Sequence, residues 1–287
     1  MQSKGGSFMG SRNAEGCTST KLSDFLNEEY DCLESSEIKV WGWLNQGLLM
    51  SENGELEGAR ECFDRVLSTN DINEIIWLAK GIVLHCYGKL TEEIQCYDHA
   101  LEIDPFYEDA WINKGNTLCK LGDFETALSC FDEVLSRNPE NLDVLSNKGQ
   151  VLKMMENWQG ALVCFEELLL KNNLDGEAWF NRGVCLDQLS QLEEALVSFE
   201  MVVKIDPKDS YAWVNLGSCL VKTNDYSGAL ECYTQALNVN PLHQQAWYYK
   251  GNLLASMGMT DAAYNCFQKV SSIDRITSSD QQTSVKQ

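Results

Sequence analysis

The sequence predicts an all-α chain, a stack of seven consecutive helix–turn–helix repeats of 34 residues each. Three observations predict it. Gly47, Gly81, Gly115, Gly149, Gly183, Gly217 and Gly251 recur every 34 residues without an insertion. Apolar and aromatic columns travel in register with them. All four prolines, Pro105, Pro139, Pro207 and Pro241, fall 24 residues after a column glycine. Self-similarity at a fixed period of this length marks a repeat architecture, in which each unit buries its apolar face against its neighbours.

Residues 1–20 are rich in Ser, Gly and Asn and lack the apolar segment of a signal peptide, so they are expected to form a disordered tail. Residues 21–39 are expected to hold a capping helix, with Phe25, Leu26, Tyr30 and Leu33 inward between Ser23 and Ser36. The repeats then span 40–73, 74–107, 108–141, 142–175, 176–209, 210–243 and 244–277, and residues 278–287 are expected to be a second disordered tail.

Within a repeat, counted from the glycine as zero, Trp43, Trp77, Trp111, Leu145, Trp179, Trp213 and Trp247 stand at −4, and Met50 or Leu at +3. With the glycine they trace one face of an amphipathic helix. The pairs Asp104-Pro105, Asp206-Pro207 and Asn240-Pro241 read as a cap and a proline that start this helix. Gly54, Gly88, Gly122, Asn224 and Gly258 read as left-handed residues that end it. The second helix carries Ala at +12 (Glu93 in the second repeat), Phe or Tyr at +16 and Val, Ala or Leu at +19. A glycine inside a helix costs up to about 1 kcal/mol against Ala, so its use seven times predicts a close approach of the two helices. Glu93 breaks the small-residue column and is expected to reach solvent near Lys89, the alternative being a splayed helix pair.

The pattern of a Trp, a Gly, two Ala-type positions, an aromatic and a Pro resembles the tetratricopeptide repeat family across residues 40–277. Asn-Lys-Gly before the turn and Cys-Phe or Cys-Tyr in the second helix are similar to tandem arrays of methanogenic archaea. The resemblance implies a right-handed superhelical solenoid whose first helices line a concave groove, where members of the family bind peptides.

The chain has 43 acidic and 22 basic residues, a net charge of −21. That balance argues against nucleic-acid binding, which depends on Lys and Arg neutralising phosphate. No apolar run approaches the roughly 20 residues that span a bilayer, so no membrane association is expected, and the chain is expected to be cytoplasmic. Six of the 12 cysteines, Cys62, Cys96, Cys130, Cys164, Cys232 and Cys266, share one column beside the core aromatic. Packed helices stand about 8–10 Å apart, too far for disulfides along the column. These cysteines read as small, partly buried hydrophobes. His85, Cys86, Cys96 and His99 are metal-ligand types, but antiparallel helices separate the two pairs by on the order of 10 Å. No metal and no cofactor are expected.

Carried over by matching positions, the groove residues stand at −6, −3, −2, +1, +4 and +5. The −2 column holds Asn45, Asn113, Asn147, Asn181 and Asn215. An Asn offers two donors and an acceptor, and a row of them can pair with an extended peptide backbone or bond locally to the next repeat; neither excludes the other. Asn116, Lys120, Gln150, Tyr248 and Tyr249 complete the candidate peptide-binding set. Trp41, Leu44, Leu48, Ile75, Leu78 and Ile82 would make the groove of the first two repeats apolar. The −3 column, from Leu44 to Tyr248, lacks the basic clamp that chaperone-binding members use for a C-terminal carboxylate. Lys80, Lys114, Lys148, Arg182 and Lys250 precede the glycines and are expected to pack their stems while the charge reaches water. No phosphate loop, dinucleotide turn, zinc-protease or nucleophile-elbow motif is present. The expected function is therefore a non-catalytic scaffold that binds a peptide or helix of a partner protein. The alternative is self-association through the array ends, where Val270 and Ile273 lack a capping helix.

Overall fold

The computed structural model describes residues 35–69 and 73–284, with side chains from 38 to 273. The described residues form fourteen α-helices and no strand. In order these are α1 (Ser35–Glu52), α2 (Leu56–Leu67), α3 (Glu74–Cys86), α4 (Leu90–Ile103), α5 (Glu108–Leu121), α6 (Phe124–Arg137) and α7 (Leu142–Met154). There follow α8 (Trp158–Lys171), α9 (Gly176–Gln188), α10 (Leu192–Ile205), α11 (Ser210–Lys222), α12 (Tyr226–Val239), α13 (Gln244–Ser256) and α14 (Thr260–Ser284). Odd-numbered helices are the first helix of a repeat and even-numbered ones the second. The chain divides into two compact units, Met1–Cys130 and Phe131–Gln287, with the division inside α6. Within the first unit α1 packs on α2 and α3 on α4, and α4 also packs on α5. Within the second, each second helix from α8 to α12 packs on its own first helix and on the next one.

The glycine column meets the aromatic column. A Cβ on Gly149 would lie 2.9 Å from the Phe165 ring, on Gly183 2.8 Å from Phe199, on Gly217 2.8 Å from Tyr233 and on Gly251 2.8 Å from Phe267. The glycine therefore makes room for the ring at +16, while the alanines at +12 are buried beside it. Phe165 and Phe199 are at most 1% exposed. Burying each such side chain contributes about 1.5–3 kcal/mol.

The loop inside every repeat turns on a left-handed residue seven places after the glycine. Gly54, Gly88, Gly122 and Gly258 fill it, as does Asn224 at φ 65°. Glu156 (φ 58°) and Ser190 (φ 60°) hold the same conformation, although neither residue type announces it.

The Asp-Pro and Asn-Pro pairs lie earlier than the helix starts they were expected to mark. Asp104, Asp206 and Asn240 end the preceding second helix, and their side chains accept the N–H groups of Phe106, Lys208 and Leu242. The caps that start the first helices come three residues later. Asn141, Asp175, Asp209 and His243 accept from Val144, Ala178, Ala212 and Ala246.

The ends depart from the expected boundaries. Helix α1 begins at Ser35, so the backbone crosses the expected junction at 39/40 without a break. The rest of the expected capping helix and the N-terminal tail lie outside the described residues. Helix α14 continues to Ser284, into the segment expected to be a tail, because nothing from Thr260 onward includes a Pro or Gly to stop it. Ile273, one of the two apolar residues expected at a bare end, is buried.

Candidate peptide-binding face

First helices do more than carry the glycine. Their tryptophans tie down the turn that precedes them. The indole N–H groups of Trp111, Trp213 and Trp247 donate to the carbonyls of Pro105, Pro207 and Pro241 at 2.9–3.0 Å, and Trp179 donates to Asn173 at 2.9 Å. The bases before the glycine are half-buried and also bridge helices. Lys114 pairs with Asp98 at 2.6 Å, Lys148 with Asp132 at 2.6 Å and Arg182 with Glu166 at 3.1 Å, each 16 residues back on the preceding second helix. Lys250 makes the same reach to the Thr234 hydroxyl at 2.9 Å. Lys80, Lys114 and Arg182 also lie over the rings of Trp77, Trp111 and Trp179. These columns fasten one repeat to the next, which leaves positions −6, −3, −2, +1, +4 and +5 to form the face that consecutive first helices share.

In the first unit that face is largely spoken for. Trp41, Leu44 and Leu78 are core residues, and Leu48, Ile75 and Ile82 pack half-buried against them, so the expected apolar groove is core. Glu93 does not reach solvent near Lys89 as expected. It is 1% exposed, and its carboxyl oxygens accept from Tyr97 (3.1 Å) and Thr117 (2.5 Å) and meet His85 Nδ1 at 3.0 Å. Lys120 donates to His85 Nε2 at 2.8 Å. A lysine can only donate, so His85 accepts at Nε2 and carries its proton on Nδ1, toward Glu93. The small-residue position tolerates a glutamate because three polar side chains, Tyr97, Thr117 and His85, satisfy it, not because the helices splay. Asn45, Asn113 and Asn116 are half-buried on α1 and α5, and Lys120 is exposed at the edge of this network.

In the second unit the asparagines differ from one another. Asn181 is 3% exposed, donates to the Glu177 carbonyl at 3.0 Å and accepts from Lys153 at 2.6 Å. It bonds locally and across to the previous first helix, and is buried rather than presented to a peptide. Asn215 donates to the Tyr211 carbonyl at 2.9 Å, and Asn147 is half-buried on α7. Gln150 reaches Glu177 of the next first helix at 3.5 Å, and Lys222 pairs with Asp187. Tyr248 is 49% exposed, and Tyr249 is half-buried between Tyr248 and Tyr233. Tyr211 and Tyr248 thus present their rings on this face.

The cysteine column is buried, and burial pushes up the thiols of Cys96, Cys130, Cys164, Cys232 and Cys266, to about 11 at Cys130 and about 12 at Cys232. His85 and His99 bond to Glu93 and Glu102, and no group of three or more His, Cys, Asp or Glu among the described residues could hold a metal ion. No helix of the described residues is long and apolar enough to cross a membrane.

Family models described as tetratricopeptide repeat match residues 108–141, 176–209 and 210–242, and a second model of that description matches 244–277. No curated protein sequence matches the chain. Among solved structures, YrrB, described as a TPR protein with an unusual peptide-binding site, is 28% identical, with a TM-score of 0.58 over 66% of this chain and 97% of its own. MamA of Desulfovibrio magneticus is 22% identical, with a TM-score of 0.56 over 59% and 96%. A tetratricopeptide repeat protein of Parabacteroides merdae is 18% identical, with a TM-score of 0.60 over 82% and 93%. The chain carries tetratricopeptide repeats over the residues that the family models match, with the all-α repeat fold of that family, a protein-interaction scaffold in kind.

Proposed function

We propose that the chain is non-catalytic and holds an extended peptide or a helix of a partner protein against the first-helix face. The observation that carries this reading is the division of labour among the columns of the second unit. Glycine, tryptophan, base and cysteine positions are consumed in holding repeats together. Tyr211 and Tyr248 on the remaining face are exposed, and half-buried Gln150 spends its amide only on a 3.5 Å contact with Glu177. Tyrosine rings supply rigid contact area at low entropic cost, with a polar tip for a backbone. The description of YrrB as carrying a peptide-binding site supports the same use of this fold. The buried thiols and absence of disulfides among the described cysteines suit a reducing compartment such as the cytoplasm.

Gln150→Ala combined with Tyr248→Ala tests the reading by affinity capture from native lysate. The double variant is expected to fold with an unchanged melting temperature and to lose the proteins that the wild type captures. Capture of the same proteins by both would exclude this face.

A further inference from the structure

Lys153 is the one lysine on this face whose charge the protein buries without an acid to meet it. It stands at +4 in the fourth repeat, half-buried on α7, and its ammonium donates to Asn181 Oδ1 at 2.6 Å. Asn181 is fixed in turn, since its amide nitrogen is committed to the Glu177 carbonyl at 3.0 Å. The acceptor is therefore neutral and rigid, and it aims the ammonium along the face. Among the described residues no carboxylate oxygen stands within ion-pair distance of Lys153; Glu177 acts on it from farther away and is bonded to Gln150. Lys250, off this face, also meets a neutral group, the Thr234 hydroxyl, but four other bridging bases in this unit do have a carboxylate. Lys148 has Asp132, Lys171 has Glu140, Arg182 has Glu166, and Lys222, also on this face, has Asp187.

A desolvated charge is expensive unless it is paired. Burial already pulls the Lys153 ammonium below its ordinary 10.5. In a chain carrying 43 acidic residues, supplying a partner in place would have been easy. A cation held by a buried amide and left without its anion is a binding group, because a carboxylate arriving from outside would gain a charge-assisted bond that the folded protein does not make by itself.

We propose that Lys153 is an anchor for an Asp or Glu side chain of the bound peptide, with Asn181 as its positioning residue. The proposal rests on the reading of the first-helix face as the peptide site, and it adds the chemistry that one subsite selects. An acidic ligand residue would be chosen here against the net charge of −21, so specificity at this point comes from a local bond and not from the overall field.

A phage-displayed library of random dodecapeptides, selected on the full chain, tests it. Selected peptides are expected to share an Asp or Glu at one position. Changing that residue to its amide should weaken binding about tenfold or more. Lys153→Met should weaken the acidic peptides to the same extent and leave their amide versions unaffected. Lys204→Met, an exposed base on second helix α10, should change nothing. The melting temperature of Lys153→Met should be equal to or above that of the wild type, since a desolvated charge has been removed, so lost binding would not be lost fold. Peptides that bind the face, as shown by loss on Gln150→Ala with Tyr248→Ala, but show no acidic position or ignore Lys153→Met would overturn the anchor and leave the peptide site standing. Peptides indifferent to both variants, or no selected peptides at all, would overturn both.

Discussion

Thr117 donates its hydroxyl proton to Glu93 at 2.5 Å, across 24 residues of sequence, and this bond joins the second repeat to the third. Glu93 occupies a position that is alanine in the other six repeats, and it is buried. Glu93→Ala would restore the family residue but strand the Tyr97 hydroxyl and the His85 and Thr117 donors. Losing a buried acceptor with several donors costs about 2–4 kcal/mol. A urea titration is expected to show a lower midpoint for Glu93→Ala; a midpoint at or above wild type would mean the network contributes nothing.

The glycine column makes a quantitative claim. In Gly183→Ala the new methyl would press on the Phe199 ring, and overpacking of this kind costs about 1–3 kcal/mol. The same substitution in a Phe199→Leu background should cost clearly less. Equal costs in both backgrounds would show that the ring is not what the glycine accommodates.

Two left-handed positions lack glycine. Holding a non-glycine residue there costs roughly 1–2 kcal/mol. Glu156→Gly and Ser190→Gly are therefore expected to raise the melting temperature despite added entropy in the unfolded chain. Lowered melting temperatures in both would show that side-chain contacts outweigh the backbone strain.

His243 gives a pH dependence. Burial holds its imidazole below the ordinary 6.5 while Nδ1 accepts the Ala246 N–H as a helix cap. The folded protein then binds fewer protons than the unfolded chain between 6.5 and the lower folded value. The sign follows: the contribution to stability is complete above 6.5 and is lost as the pH falls through that window. Melting temperatures are expected to drop from about pH 7.5 to about pH 5, and His243→Asn, which keeps a capping acceptor, should flatten part of that slope. An identical slope in the variant would remove His243 as its source.

The fold was legible because one period ran through the glycine, tryptophan, aromatic and proline columns. Its internal fastenings were less so. Lys114, Lys148 and Arg182 each find an acid 16 residues earlier, a spacing visible in the sequence but meaningful only once the second helix is known to lie beside the next first helix. Glu156 and Ser190 share an offset with four glycines and could have been found by it. The Asn column was legible as a column only. Whether an amide faces a ligand or a neighbour depends on the residue opposite, and Asn181 meets a lysine from another repeat. The Glu93 network could not be read at all, because His85, Thr117 and Lys120 come from three different columns.

Site-specific photo-crosslinking tests the central claim most directly. Tyr248 on first helix α13 and Tyr264 on second helix α14 of the same repeat are both exposed, at 49% and 63%. With benzoylphenylalanine placed at each in turn, the captured partner is expected to cross-link at position 248 and not at 264. Cross-linking at 264 alone, or at neither, would contradict a partner held on the first-helix face.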